Sequence, residues 1–276
     1  REIVAKLKDG RKTEIQTVSG EVDIEDLIPV EDCVITLTHL GYIKRQPVDV
    51  YKSQRRGGRG ISGMTTREED FVETLFIGST HDYVLFFSNR GRVYRLKCYE
   101  IPESSRTARG VNVVNLLPLE PEEKITSMIR VEEFRDDHYL VMVTKNGIIK
   151  RTELSAYHTT RKGGVIAISL DEGDDLAWVR LTDGNCEVFV ATKNGMIIRF
   201  HEQDARPLSR TARGVKAISL EDGDEVVGMA RIREGATLLT VTTKGQGRRT
   251  RLEDYRVQNR AGKGLTNYHV SEEKGT

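Results

Sequence analysis

Five short apolar runs, each followed by a glycine turn, recur along the chain: Cys33-Val-Ile-Thr-Leu37, Tyr83-Val-Leu-Phe-Phe87, Tyr139-Leu-Val-Met-Val143, Cys186-Glu-Val-Phe-Val190 and Ala236-Thr-Leu-Leu-Thr-Val241. Their length, their β-branched and aromatic content and their nearly unbroken apolarity predict strands buried on both faces. The turns are His39-Leu-Gly41, Asn89-Arg-Gly91, Lys145-Asn-Gly147, Lys193-Asn-Gly195 and Thr243-Lys-Gly245, and the two Asn-Gly pairs are strong hairpin signals. A return run carries an arginine four residues after each turn glycine (Arg45, Arg95, Arg151, Arg199, Arg249), and a second glycine follows (Gly60, Gly110, Gly164, Gly214, Gly264). Turn glycines are 50, 56, 48 and 50 residues apart, and second glycines 50, 54, 50 and 50. A period near 50 with hairpins and no sustained helical pattern predicts an all-β radial repeat, propeller-like, with one blade per unit and five blades visible in the chain. The extra residues between the second and third units fall on Glu132-Glu-Phe-Arg-Asp-Asp-His138, expected as a surface loop. Phe200–Pro207 and Leu252–Tyr255 are expected to hold short helical turns.

Residues 1–32 read as a polar lead-in, with a helix-like acidic segment at Glu21–Ile28, that also contributes to the repeat domain at 33–276. With 276 residues and 37% apolar content the chain can bury a sizeable core. It has neither a long apolar run nor a charged-then-apolar start, so a soluble cytoplasmic protein is expected, and the start at Arg1 suggests a piece of something longer. Three distant cysteines, Cys33, Cys98 and Cys186, suit buried free thiols better than a disulfide framework or a zinc site.

The net charge of +1 hides a strong segregation. The seven residues ending at each second glycine are QRRGGRG, SSRTARG, HTTRKGG, LSRTARG and QNRAGKG, eleven positive charges without one acid. The five residues starting at each turn glycine add nine more, so the rest of the chain carries −19. Its acids concentrate in Glu120–Glu123, Asp171–Asp175 and Glu221–Glu225. A radial repeat places equivalent positions at equivalent radii, so the basic windows predict a belt on one side of a disc, as a polyanion partner requires.

The first window is the densest: Gln54, Arg55, Arg56, Gly57, Gly58, Arg59, Gly60. Its arginines offer forked donors suited to phosphate, and its glycines allow close approach of the backbone. Residues 58–63 match a dinucleotide fingerprint in form only, since no apolar strand precedes them and no amphipathic helix follows. In the later windows the candidate contacts are Arg106 and Arg109, Arg161 and Lys162, Arg210 and Arg213, Arg260 and Lys263. No common phase of stacking aromatics accompanies them, since only Tyr51, Tyr157 and Tyr268 lie near, which disfavours single strands. No recognition helix or amphipathic membrane helix appears, so duplex DNA tracked along its backbone fits best, without base reading. Six scattered histidines and the absence of nucleophile or nucleotide motifs leave no catalytic or metal site. The five arginines of the return runs stay open between a half-buried structural role and direct contact with DNA.

The window QRRGGRG resembles the gyrase-A box of the carboxy-terminal domain of the DNA gyrase A protein, and the repeat from Cys33 onward resembles the β-pinwheel of that family. The resemblance implies strands exchanged between neighbouring blades and duplex DNA wrapped around a basic rim, so that the parent enzyme introduces negative supercoils. It implies as partners the amino-terminal part of the gyrase A protein and the gyrase B protein of the parent heterotetramer, with ATP and magnesium bound on other domains and no cofactor or catalytic residue here. The family often has lysine where Arg59 stands, and its gyrase domains usually have six blades. The equivalent domain of topoisomerase IV is the close alternative, and a propeller-type protein-interaction scaffold is the alternative from another class.

Overall fold

The computed structural model describes residues 24–51, 56, 63, 64, 66 and 69–276. Each apolar run and its return form a hairpin. In the first, β1 (Asp32–Thr38) pairs antiparallel with β2 (Tyr42–Pro47), setting Cys33 against Pro47 and Leu37 against Ile43. Two further strands complete the sheet: β3 (Val72–Ser79) lies beside β1, and β6 (Val111–Asn112) lies beside β2. β6 follows Gly110 and so belongs to the second repeat, handed back to the first blade.

The second blade pairs β4 (Tyr83–Ser88) with β5 (Arg92–Lys97), flanked by β7 (Ile125–Val131) and by β10 (Val165–Ile166) from the third repeat. In the third, β8 (Tyr139–Thr144) and β9 (Ile148–Glu153) lie between β11 (Leu176–Thr182) and β14 (Val215–Lys216). The fourth sets β12 (Glu187–Thr192) and β13 (Met196–His201) between β15 (Val226–Arg231) and β18 (Leu265–Thr266). Among the described residues the fifth is the bare hairpin of β16 (Thr237–Val241) and β17 (Gly247–Arg251).

Strands β3, β7, β11 and β15 contact one another in succession, so they gather toward an axis. The opposite edges, with their handed-over strands, therefore point outward. Apolar layers fill the gaps between blades. Along β4, Val84 and Phe86 enter the layer shared with the first blade while Leu85 and Phe87 enter that shared with the third, which is why the run is apolar at nearly every position. Phe86 and Phe87 are both fully buried, a contribution of roughly 1.5–3 kcal/mol apiece. The fifth run departs from the expected burial on both faces: Leu239 and Val241 are 65% and 58% exposed, because no described strand flanks β16.

The described part of the lead-in holds a 3-10 turn, Ile24–Leu27, within the helix-like segment read from the sequence, whose residues 21–23 lie outside the described residues. It docks on the second blade, where Lys97 donates to Glu25 at 2.7 Å and Thr80 donates to the Pro29 carbonyl at 2.8 Å. The 132–138 loop is anchored by Phe134, 5.1 Å from Tyr83 and 4.9 Å from His158 between ring centroids. Short 3-10 turns follow the returning strands at Glu202–Asp204 and Leu252–Asp254.

Candidate nucleic-acid interface

Each of the four later basic windows occupies the stretch between a returning strand and the strand handed back to the preceding blade, so these windows lie along the outward edges. The second glycines mark the crossing. Gly110, Gly164, Gly214 and Gly264 all have positive φ, from 73° to 102°. A Cβ on Gly110 would sit 2.3 Å from the Ile43 carbonyl oxygen, and one on Gly164 would sit 2.5 Å from the Tyr94 ring. The four described second glycines thus share a left-handed backbone and a close approach, to a carbonyl of the preceding blade at Gly110, Gly214 and Gly264 and to the Tyr94 ring at Gly164.

Of the first window, only Arg56 is described, as an exposed turn residue; Gln54, Arg55, Gly57, Gly58, Arg59 and Gly60 lie outside the described residues. Arg161 and Lys162 are exposed, and among the described residues their side chains make no hydrogen bond or ion pair. Lys263 is also exposed, 3.9 Å from Glu221. Other window cations are more engaged. Arg109 is half-buried with its guanidinium 5.2 Å from the centre of the Tyr42 ring. Arg106 is half-buried in a turn. Arg210 donates to the Ile166 carbonyl, and Arg260 donates to the carbonyls of Asp204 at 2.9 Å and Lys216 at 3.0 Å. Arg213 forms a fork with Asp171, at 2.5 Å through Nε, which holds that carboxyl below its ordinary range. Because this fork is exposed, it competes only weakly with another anion.

The arginines of the return runs divide. Arg45 donates through Nε to the Ile101 carbonyl at 3.2 Å and lies 3.6 Å from Glu103. Arg199 forks onto Glu187 and donates to the carbonyls of Leu252 and Tyr255 at 2.8 and 3.0 Å. Arg151 lies 3.8 Å from the buried Glu202 and 4.7 Å from the centre of the Tyr139 ring. These three clamp the segment that leads into the next window. Arg95 lies over Tyr83 at 4.9 Å, and Arg249 is exposed.

The tyrosines near the windows differ in exposure, and Tyr268 is half-buried beneath Arg248, 6.0 Å from its ring centre. Tyr157 is fully buried with its hydroxyl on the Ala167 carbonyl, and Tyr51 donates to Gln46 at 2.5 Å. Of the cysteines, Cys33 and Cys98 are buried as expected, but Cys186 is half-exposed, its thiol 3.1 Å from Asp183 and pushed up to about 11 by burial and that carboxylate. Among the described residues Asp183, Cys186 and Glu202 form the one group of potential metal ligands, within 4.8 Å of one another. Both oxygens of Glu202 are already taken, by the Cys186 amide at 2.8 Å and the Thr182 hydroxyl at 2.6 Å.

Sheets that exchange an outer strand with the next repeat, arranged about an axis with basic loops on the outward edges, define an all-β pinwheel of the propeller type. A family model described as DNA gyrase C-terminal domain, beta-propeller, matches residues 34–79, 82–132, 138–183, 187–233 and 236–275, one segment for each repeat. The chain belongs to this family. The DNA gyrase A protein of Clostridium acetobutylicum is 57% identical over 274 residues, which cover 99% of this chain and 33% of that protein. Its counterpart in Halalkalibacterium halodurans is 55% identical over 78% of this chain and 26% of its own. The chain thus spans about a quarter to a third of the length of these relatives. A solved DNA gyrase A C-terminal domain has TM-score 0.69 at 29% identity, covering 89% of this chain and 80% of that one. The C-terminal domain of DNA topoisomerase IV has TM-score 0.76 at 28% identity, over 87% and 73%.

Proposed function

We propose that this chain binds, bends and wraps duplex DNA around its outward edge without reading sequence, as the non-catalytic wrapping domain of a bacterial, cytoplasmic, nucleoid-associated DNA gyrase. One observation supports the reading: each of the four later basic windows sits where a strand crosses to the preceding blade, so the candidate phosphate contacts follow one another at the spacing of the blades. Arg161, Lys162 and Lys263 are exposed on this path, Arg56 is exposed in the first window, and the remaining box residues, Gln54, Arg55, Gly57, Gly58, Arg59 and Gly60, hold the equivalent place in the sequence repeat. Arg106, Arg109, Arg210, Arg213 and Arg260 extend the path with side chains already tethered to the protein. In the parent heterotetramer the partners would be the amino-terminal part of the gyrase A protein and the gyrase B protein, with ATP and magnesium used there.

Wrapping must overcome duplex stiffness, of order 1–6 kcal/mol for each bent stretch of 20–30 base pairs, so the tightest grip is needed where the path begins. The test is the linking number of a relaxed plasmid after nicking and closing in the presence of the protein. The wild-type chain should leave writhe of one sign. The triple variant R55A/R56A/R59A should bind linear duplex within about tenfold, roughly 1.4 kcal/mol, yet leave much less writhe. No topological change with the wild-type chain overturns wrapping, and proportional loss of affinity and writhe makes the box one phosphate contact among others.

A further inference from the structure

Among the described residues two lysines are wholly buried, Lys44 in β2 and Lys150 in β9, each the third residue after its turn glycine. The Lys44 ammonium donates to the carbonyls of Ser105 at 3.3 Å, Arg106 at 2.7 Å and Ala108 at 3.0 Å, and to Gly63 at 2.8 Å. That of Lys150 donates to the carbonyls of Ser209 at 3.2 Å and Arg210, and to Ala167 at 2.5 Å. The two sets are equivalent. Ser105-Arg106 and Ser209-Arg210 open the two copies of Ser-Arg-Thr-Ala-Arg-Gly, while Gly63 and Ala167 each stand three residues after a second glycine, Gly60 and Gly164.

Each ammonium therefore ties the main chain just after one window to the main chain inside the next, the first to the second and the third to the fourth. In the second and fourth blades the same position is held by Tyr94 and Ile198, and in the fifth by Arg248, which donates to the Asn267 carbonyl. A buried ammonium is tolerated only when its protons are hydrogen-bonded, and an apolar side chain of similar volume would fill the space without that requirement. What the ammonium adds is a fixed set of peptide planes, from which the side chains of Arg106, Arg109, Arg210 and Arg213 project.

We propose that Lys44 and Lys150 are positioning residues for DNA, each holding one Ser-Arg-Thr-Ala-Arg-Gly loop against the preceding window so that the arginines of both present a set spacing to successive phosphates. This role rests on the duplex reading given under Proposed function. Burial pushes Lys150 down to about 7, and the charge of Arg210 acts in the same direction. The other ionisable groups around it are Tyr157, whose hydroxyl shares the Ala167 carbonyl, and Arg151, its neighbour on β9, which turns to Glu202. Loss of the proton leaves two donors for three carbonyls, so the grip on the loop loosens as pH rises through neutrality. Over the same interval, up to the ordinary lysine range, the unfolded chain binds more protons than the folded one, and this group makes stability rise with pH. Loop order and stability thus move in opposite directions as pH rises.

The test compares wild type, K44M, K150M and the double variant R161A/K162A. Folding is checked by circular dichroism and thermal midpoint, duplex affinity is measured at fixed salt, and amide hydrogen exchange is followed at 105–109 and 209–213 at about pH 6.5 and about pH 8.5. K150M should raise corrected exchange at 209–213 about tenfold and leave 105–109 unchanged, and K44M the converse. Each should lose about five- to tenfold in affinity with its thermal midpoint within a few degrees of wild type. Wild-type exchange at 209–213, corrected for intrinsic base catalysis, should be faster at the higher pH, a response absent from K150M. Unchanged exchange in both lysine variants overturns the positioning role, and raised exchange with full affinity overturns its bearing on DNA. If wild type itself binds no duplex, the duplex reading and with it the DNA role are overturned, while the exchange results still judge the tether. If K150M does not fold, K44M decides, and unchanged exchange at 105–109 overturns the proposal.

Discussion

The carboxylate of Glu202, wholly buried in the fourth blade, lies 3.8 Å from the guanidinium of Arg151 in the third, and the pair joins the two blades. Glu202 also accepts from the Thr182 hydroxyl and the Cys186 amide, so each oxygen has a donor. Removing one partner of a buried pair leaves the other charge uncompensated. Replacing Glu202 by alanine should lower stability by about 3–5 kcal/mol in urea unfolding, whereas the double variant E202A/R151M should recover part of that loss. Additive losses from the two single changes would show that the ions do not act as a pair.

Glycines at the crossings and glycines in open loops should respond differently to alanine. Gly110 combines φ of +84° with a Cβ position 2.3 Å from the Ile43 carbonyl, while Gly173 has φ of +76° and nothing within 4 Å. Gly173→Ala should cost only the conformational strain, about 1–2 kcal/mol. Gly110→Ala should cost clearly more, because β6 can no longer lie against β2. Equal shifts of the urea midpoint would mean that the handed-over strand adds little to stability.

Counterion release gives the candidate interface a quantitative signature. If the belt neutralises about 6–10 phosphates, duplex affinity should fall roughly 10³–10⁵-fold between 50 and 200 mM salt. The R161A/K162A variant removes two exposed cations that have no protein partner among the described residues. It should reduce the slope of log K against log salt by about 2 at unchanged thermal midpoint. A slope equal to that of wild type would place the third window off the DNA path.

Tyr94 ties the alkaline limb of stability to one hydroxyl. Its side chain is buried and its hydroxyl lies 2.9 Å from Glu123; burial first, and that carboxylate second, push it up to about 12. Between the ordinary tyrosine value near 10 and about 12 the unfolded chain ionises while the folded one keeps its proton. The stabilisation is therefore complete below about pH 10 and is lost as pH rises through about 12. Y94F should flatten that part of the curve in pH-dependent urea unfolding. A variant that loses stability as steeply as wild type would assign the alkaline limb to other groups.

Much of this architecture was legible in the chain because its signals are local. Strand burial is written in consecutive side chains, hairpins in the turn glycines, and blade number in the period. The basic windows stood out because the five copies share a phase. What the sequence did not disclose are relationships between residues some 40 to 65 positions apart, since a side chain's periodicity does not reveal its partner in another repeat. Lys44 and Lys150 looked like the other cations of the return runs, yet the crossing of the next window over β2 and β9 encloses them among carbonyls. Arg45 and Arg151 were open to two readings until Glu103 and Glu202, from another part of the chain, were found beside them, while the partner of Arg199, Glu187, lies across its own hairpin. The fifth run reads as buried, but burial on both faces needs neighbours, and β16 has only β17 among the described strands. Local chemistry thus determined the strands, the turns and the positions of charge, while tertiary structure decided which charges are held by the protein and which are left facing outward, because burial and pairing depend on the neighbouring blade.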